Sequence, residues 1–89
     1  MQPAEAHHIV DLLKQGKKLL LSDDGNEYYS LLSIEHRTDG SFNYNHYKGL
    51  LYDVVAPVQY NDRVIDETEL LNLLCQHDYQ ETLSNLRSP

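Results

Sequence analysis

One cysteine, Cys75, is all that the 89-residue chain contains. No intrachain disulfide is therefore available, and no cysteine-based zinc site. Tryptophan is absent and phenylalanine occurs once, against seven tyrosines. Basic residues are scarce, seven against fourteen acidic ones, for a formal charge of −7. A field of that sign repels phosphate backbones. The only basic cluster, Lys14, Lys17 and Lys18, falls at a helix end, so direct nucleic-acid binding is not expected. Long hydrophobic runs are missing too. Leu19-Leu20-Leu21 is far short of the ~20 apolar residues that span a bilayer, and no membrane association is expected. The start, MQPAEAHHIVDLL, has no basic stretch followed by an uncharged apolar run, as a secretion signal would. With the free thiol, this points to a reducing interior and a cytoplasmic protein.

Eighty-nine residues suit a single domain, 1–89, with 85–89 expected to fray. So short a chain buries only about 60 to 65% of the surface that its unfolded form exposes, which leaves a thin stability margin. A homodimer contact or a bound partner would supply further burial.

Helical periodicity opens the chain. Ala6, Ile9, Val10 and Leu13 form one apolar stripe between about Ala4 and Gln15. Pro3 suits the first turn, Glu5 and Lys14 complement the two ends, and Gly16 is placed to stop the helix in a left-handed conformation. Lys18 to Ser22 is a short strand candidate, and Asp23-Asp24-Gly25-Asn26 reads as a turn. A β region then starts at Glu27 and carries two further turn signals, Thr38-Asp39-Gly40 and Tyr47-Lys48-Gly49.

If each of those loops holds three residues with glycine last, the register follows. The first loop sets Ile34 opposite Tyr44, Leu32 opposite His46 and His36 opposite Phe42. The second sets Tyr44 opposite Tyr52, Phe42 opposite Val54 and His46 opposite Leu50. Both place the apolar residues of three strands on one face, and a one-residue slip would invert a strand. The other face receives Leu31, Ser33, Glu35, Asn43, Asn45, Leu51, Asp53 and Val55, a mixture suited to water. Pro57 limits the last strand.

Asp66 and Glu69 form a capping-box-like pair, with Ile65 and Leu70 spaced as a hydrophobic staple across it. Leu70, Leu71, Leu73 and Leu74 predict a well-buried second helix. Asp78 and Glu81 repeat the capping spacing ahead of a third, short helix that turns Tyr79, Leu83 and Leu86 inward. The fold class is thus α+β: an N-terminal helix, an antiparallel meander of three to four strands, and two C-terminal helices packed on one sheet face.

The chemistry-bearing residues make weak constellations. His7 and His8 point about 100° apart on a helix, and His7 with Asp11 offers two ligands without a third. His36 and His46 sit on adjacent strands but not opposite one another. Asp23-Asp24-Gly25-Asn26-Glu27 lacks the calcium-loop pattern, because Leu20 and Leu31 stand where oxygen ligands belong. Cys75 and His77 point to different faces of a leucine-rich helix, where a buried structural cysteine is expected. No phosphate-binding glycine loop, nucleophile elbow or His-Glu-x-x-His pair occurs. No cofactor is therefore expected, and the chain is not read as an enzyme.

The tyrosines combine contact area with a polar tip, a property that enriches them at interfaces. Tyr29 and Tyr47, with Glu35, Asn43, Asn45 and Asp53 between them, make a candidate partner-binding surface. The expected function is a non-enzymatic, acidic protein-binding module: an inhibitor, adaptor or regulator. Its charge favours a basic protein partner, for instance a nucleic-acid-binding protein whose groove it blocks, as small phage-borne or mobile-element inhibitors of similar size and charge do. Two alternatives stand beside this reading. One is a small-ligand or metal-binding accessory domain that uses His36, His46 or the pocket between sheet and helices. The other is a small enzyme that uses Glu35 and Asp53.

Overall fold

A computed structural model describes residues 1–24, 28–50 and 59–88. Among them, helix α1 (Pro3–Lys14) is followed by strands β1 (Lys18–Asp24), β2 (Tyr28–His36), β3 (Phe42–Leu50) and β4 (Gln59–Ile65), then by helices α2 (Glu67–Leu74) and α3 (Tyr79–Ser84) and the two-residue strand β5 (Leu86–Arg87). The strands form one antiparallel sheet in the order β4-β3-β2-β1-β5. The α+β class holds, with five strands rather than three or four.

Local chemistry accounts for the helix ends. Glu5 accepts the backbone N–H of Gln2 at 2.8 Å, and Pro3 occupies the first turn, where its missing N–H costs nothing. α1 ends as its glycine requires. Gly16 has φ 104°, Gly16 N–H donates to Leu13 O, and Lys17 N–H donates to Leu12 O, which is the Schellman arrangement. Asp66 caps α2 by accepting Glu69 N–H at 2.8 Å, and Asp78 caps α3 by accepting Glu81 N–H at 2.8 Å. Ile65 and Leu70 are both buried, as the staple predicts.

The first hairpin keeps the expected register: Ile34 faces Tyr44, Leu32 faces His46 and His36 faces Phe42. Gly40 turns it at φ 91°. The second expected turn does not exist. Tyr47, Lys48 and Gly49 continue β3, paired with Leu31, Ser30 and Tyr29. The position assigned to Tyr52 and Val54 is taken by β4 instead, with Arg63 opposite Tyr44 and Ile65 opposite Phe42. Residues 51–58, among them Leu51, Tyr52, Asp53, Val54 and Val55, lie outside the described residues.

Gly49 sits in a strand for a steric reason. The ring of its cross-strand neighbour Tyr29 lies over it, so that a Cβ at Gly49 would meet Tyr29 Cε1 at 2.8 Å. Glycine there is a seat for an aromatic ring and not a turn residue. The other differences are smaller. Asp23 and Asp24, expected in a turn, belong to β1, and Gly25 and Asn26 fall outside the described residues. The expected fraying at 85–89 is replaced over Leu86 and Arg87 by pairing with Leu19 and Lys18 of β1.

The core lies between the helices and one sheet face. Ala6, Ile9, Val10 and Leu13 of α1 and Leu70 and Leu74 of α2 pack with Leu19, Leu32, Ile34, Phe42, Tyr44 and Ile65 of the sheet. Arg63 covers the Tyr44 ring, 5.1 Å from its centroid, and reaches Glu69 of α2 at 3.3 Å. The α-amino group of Met1 donates to Cys75 O and His77 O beyond the end of α2, at 2.9 and 2.8 Å. This places a positive charge at the negative end of that helix. Cys75 itself is exposed, contrary to the buried role expected of it, because it is the residue that ends α2. Among the described residues, no helix is long and apolar enough to cross a membrane.

Candidate functional site

Strand alternation separates the two faces of the sheet. With Leu32, Ile34, Phe42 and Tyr44 turned toward the helices, the odd-numbered positions of β2 and β3 and the even-numbered positions of β1 and β4 point the other way. The register aligns them in cross-strand rows. Glu35, Asn43 and Val64 form one row; Leu20, Ser33, Asn45 and Asp62 the next; Ser22, Leu31, Tyr47 and Tyr60 the third; and Tyr29 and Gly49 the last. Five of the six expected site residues, Tyr29, Glu35, Asn43, Asn45 and Tyr47, are thereby brought onto one face. The sixth, Asp53, lies outside the described residues.

Polar side chains at one end of this face hold one another. Arg37 donates to Asn43 Oδ1 at 2.9 Å, and Asn43 Nδ2 donates to Glu35 Oε1 at 3.3 Å. An amide held from both sides presents its remaining hydrogen-bonding capacity in a fixed direction. Asp39 pairs with Arg37 at 3.5 Å. Hydrogen bonds from the Ser41 hydroxyl and backbone N–H hold the Asp39 carboxyl below its usual range.

At the other end the face is aromatic. Tyr47 and Tyr60, directly opposite across β3 and β4, meet edge to face with centroids 4.8 Å apart and planes at 68°. A hydrogen bond to the Asp62 carboxylate, with a second to Tyr47, holds the Tyr60 hydroxyl proton well above the usual phenol range. Tyr60 remains 61% exposed, Val64 57% and Leu31 36%. These three are the large hydrophobic side chains left in water among the described residues.

Asp62 and Val64 escape the sequence analysis, and Tyr60 its place on this face, because β4 does. Among the described side chains of QYNDRVI, only Ile65 is buried, and the sequence has no regular polar–apolar alternation. The available signal was the spacing of Tyr60, Asp62 and Val64 at every second residue, ahead of Ile65.

The residues of the two alternative readings lie elsewhere. His46 is half-buried on the inner face, with Nε2 2.8 Å from Ser30 Oγ. It lines an open cleft of about 420 Å³ with Leu21, Tyr44, His77 and Glu81. His36 packs against Phe42, ring centroids 5.2 Å apart. The exposed His8 lies 2.6 Å, through Nδ1, from the Tyr79 hydroxyl. No three His, Cys, Asp or Glu side chains among the described residues are arranged to hold a metal ion. Glu35 is in place on the outer face, whereas its suggested acid partner, Asp53, falls outside the described residues.

Comparison with protein-family models, with curated proteins and with solved structures finds no match.

Proposed function

We propose that this chain is a non-enzymatic binding module that docks a basic protein partner on the outer face of its sheet, acting as an inhibitor, adaptor or regulator. One observation carries the reading. The helices pack on the inner face, and the outer face holds Leu31, Tyr60 and Val64 exposed beside the amides of Asn43 and Asn45 and the carboxylates of Glu35 and Asp62. Exposed aromatic and aliphatic side chains bordered by fixed polar groups are the composition of a recognition surface. The formal charge of −7 selects the partner by sign, steering a basic surface toward the sheet and repelling an acidic one. A cytoplasmic setting accords with the exposed thiol of Cys75.

The test is affinity capture from extracts of the native host with three baits: the wild type, a Tyr60→Ala/Asp62→Asn variant, and a Glu81→Gln control on α3. A protein retained by the wild type and the control, lost by the outer-face variant and released by salt supports the reading. Equal retention by all three baits removes it.

A further inference from the structure

We infer that a cleft where α1, β1 and β5 meet is a second binding site, for a small organic anion bearing a phosphate or carboxylate group. The seven basic residues are unequally paired. Lys14 is paired with Glu67, Arg37 with Asp39 and Arg63 with Glu69. Lys48 is engaged elsewhere. Lys17, Lys18 and Arg87 remain, each without a carboxylate partner among the described residues, and all three line the same cleft.

In a chain with twice as many acidic as basic residues, three cations without an ion-pair partner among the described residues, against the one carboxylate of Glu35, give this concavity a local excess of positive charge. Helix capping does not account for them. Three of the four carbonyls in the last turn of α1, those of Asp11, Leu12 and Leu13, already accept backbone N–H groups from Gln15, Gly16 and Lys17, and neither Lys17 nor Lys18 gives its ammonium group to the helix end. Arg87 donates through Nη1 to Ser84 O at 2.9 Å, which fixes the guanidinium and leaves its other donors available.

The shape sets the ligand class. The cleft measures about 420 Å³ and has apolar walls from Leu13 and Leu20, which suits an organic anion better than a bare ion. Glu35 stands on the same wall, with one carboxylate oxygen held by Asn43. It disfavours a polyanion and accepts a hydrogen bond from a hydroxyl or amine next to the anionic group. The cleft shares Leu20 and Glu35 with the edge of the outer face but does not include Tyr47, Tyr60 or Asp62, so anion binding here does not depend on those residues docking a protein.

Backbone-amide NMR of the full chain, titrated with glycerol 3-phosphate in one arm and lactate in another at constant ionic strength, tests the inference. Saturable shifts centred on Gly16, Lys17, Lys18, Arg87 and Ser88 are expected in at least one arm, and which arm responds identifies the anionic group. Lys17→Gln and Lys18→Gln should each weaken binding roughly twofold to fivefold, the range for an exposed ion pair. Lys14→Gln, whose ammonium is held by Glu67, should leave it unchanged. The inference is overturned if neither anion gives saturable shifts, if sodium chloride reproduces them, or if the Lys17→Gln/Lys18→Gln double variant binds as the wild type does.

Discussion

Alanine at position 49 examines the outer face at one contact. Gly49 lies in a strand without a positive φ, so a side chain there is free of backbone strain. Its Cβ would nevertheless stand 2.8 Å from Cε1 and 2.9 Å from the hydroxyl oxygen of Tyr29. Carbon atoms in comfortable contact lie about 3.5 to 4.0 Å apart, so the ring must withdraw by roughly 0.7 Å or more. Overpacking a closed core costs about 1 to 3 kcal/mol. The atoms met here are the tip of the half-buried Tyr29 side chain on the outer face, which can swing aside at the low end of that range, about 1 kcal/mol. Replacing a strand glycine restricts the unfolded chain and returns about 0.5 to 1 kcal/mol. Gly49→Ala should therefore change stability by no more than about 0.5 kcal/mol in the natural background, the cost of moving the ring and the gain from the unfolded chain nearly cancelling. In a Tyr29→Ala background only the favourable part survives, and the same substitution should stabilise by about 0.5 to 1 kcal/mol. Urea unfolding of the four proteins of the cycle reads the coupling directly. If alanine stabilises both backgrounds equally, the Tyr29 ring does not lie on Gly49.

The remaining predictions concern caps, protons and the core. Asp66→Ala removes the side chain that accepts Glu69 N–H, and should cost about 0.5 to 2 kcal/mol by urea titration, with Asp66→Asn retaining most of the stability. Asp39 and Glu67 are both held below their ordinary values of 3.8 and 4.5, by Ser41 and by Lys14 respectively. Carboxyls depressed in the folded state contribute stability above those values and lose it as pH falls through the folded-state range. Thermal unfolding should accordingly show the Ser41→Ala and wild-type melting temperatures converging on acidification below about pH 4. Asp62→Asn removes the main group that holds the Tyr60 proton, so spectrophotometric titration should show one tyrosine ionising earlier than in the wild type. An unchanged curve would contradict that hydrogen bond. Phe42, fully buried, should cost about 3 to 5 kcal/mol on replacement by alanine, a large share of the stability of so small a domain, as read by urea unfolding.

Which parts of this structure were readable from residues follows from where local chemistry is decisive. The helices were legible because each start has its own acceptor, Glu5, Asp66 and Asp78, and α1 has Gly16 to stop it. The Gly40 hairpin was legible because a loop of one length places Phe42 and Tyr44 inward with Leu32 and Ile34. Tyr47-Lys48-Gly49 misled because glycine in a turn and glycine beneath a ring look alike in sequence. Only the register, which brings Tyr29 onto Gly49, separates them. β4 was missed because an edge strand with one exposed side need not alternate: Tyr60, Asn61, Asp62, Arg63 and Val64 are all exposed. The candidate face was half legible for the same reason. Its β2 and β3 residues follow from alternation around one correct turn, whereas Tyr60, Asp62 and Val64 depend on a pairing between residues far apart in the chain.

Photo-crosslinking addresses the outer face as a docking surface most directly. A benzophenone amino acid replaces either Tyr60, on that face, or Gln80, exposed on α3, and the full chain is irradiated in extract of the native host. A discrete adduct formed from position 60 and weakened by salt, with none from position 80, is the predicted result. Adducts of equal yield from both positions, or from position 80 alone, would contradict the assignment of binding to the sheet.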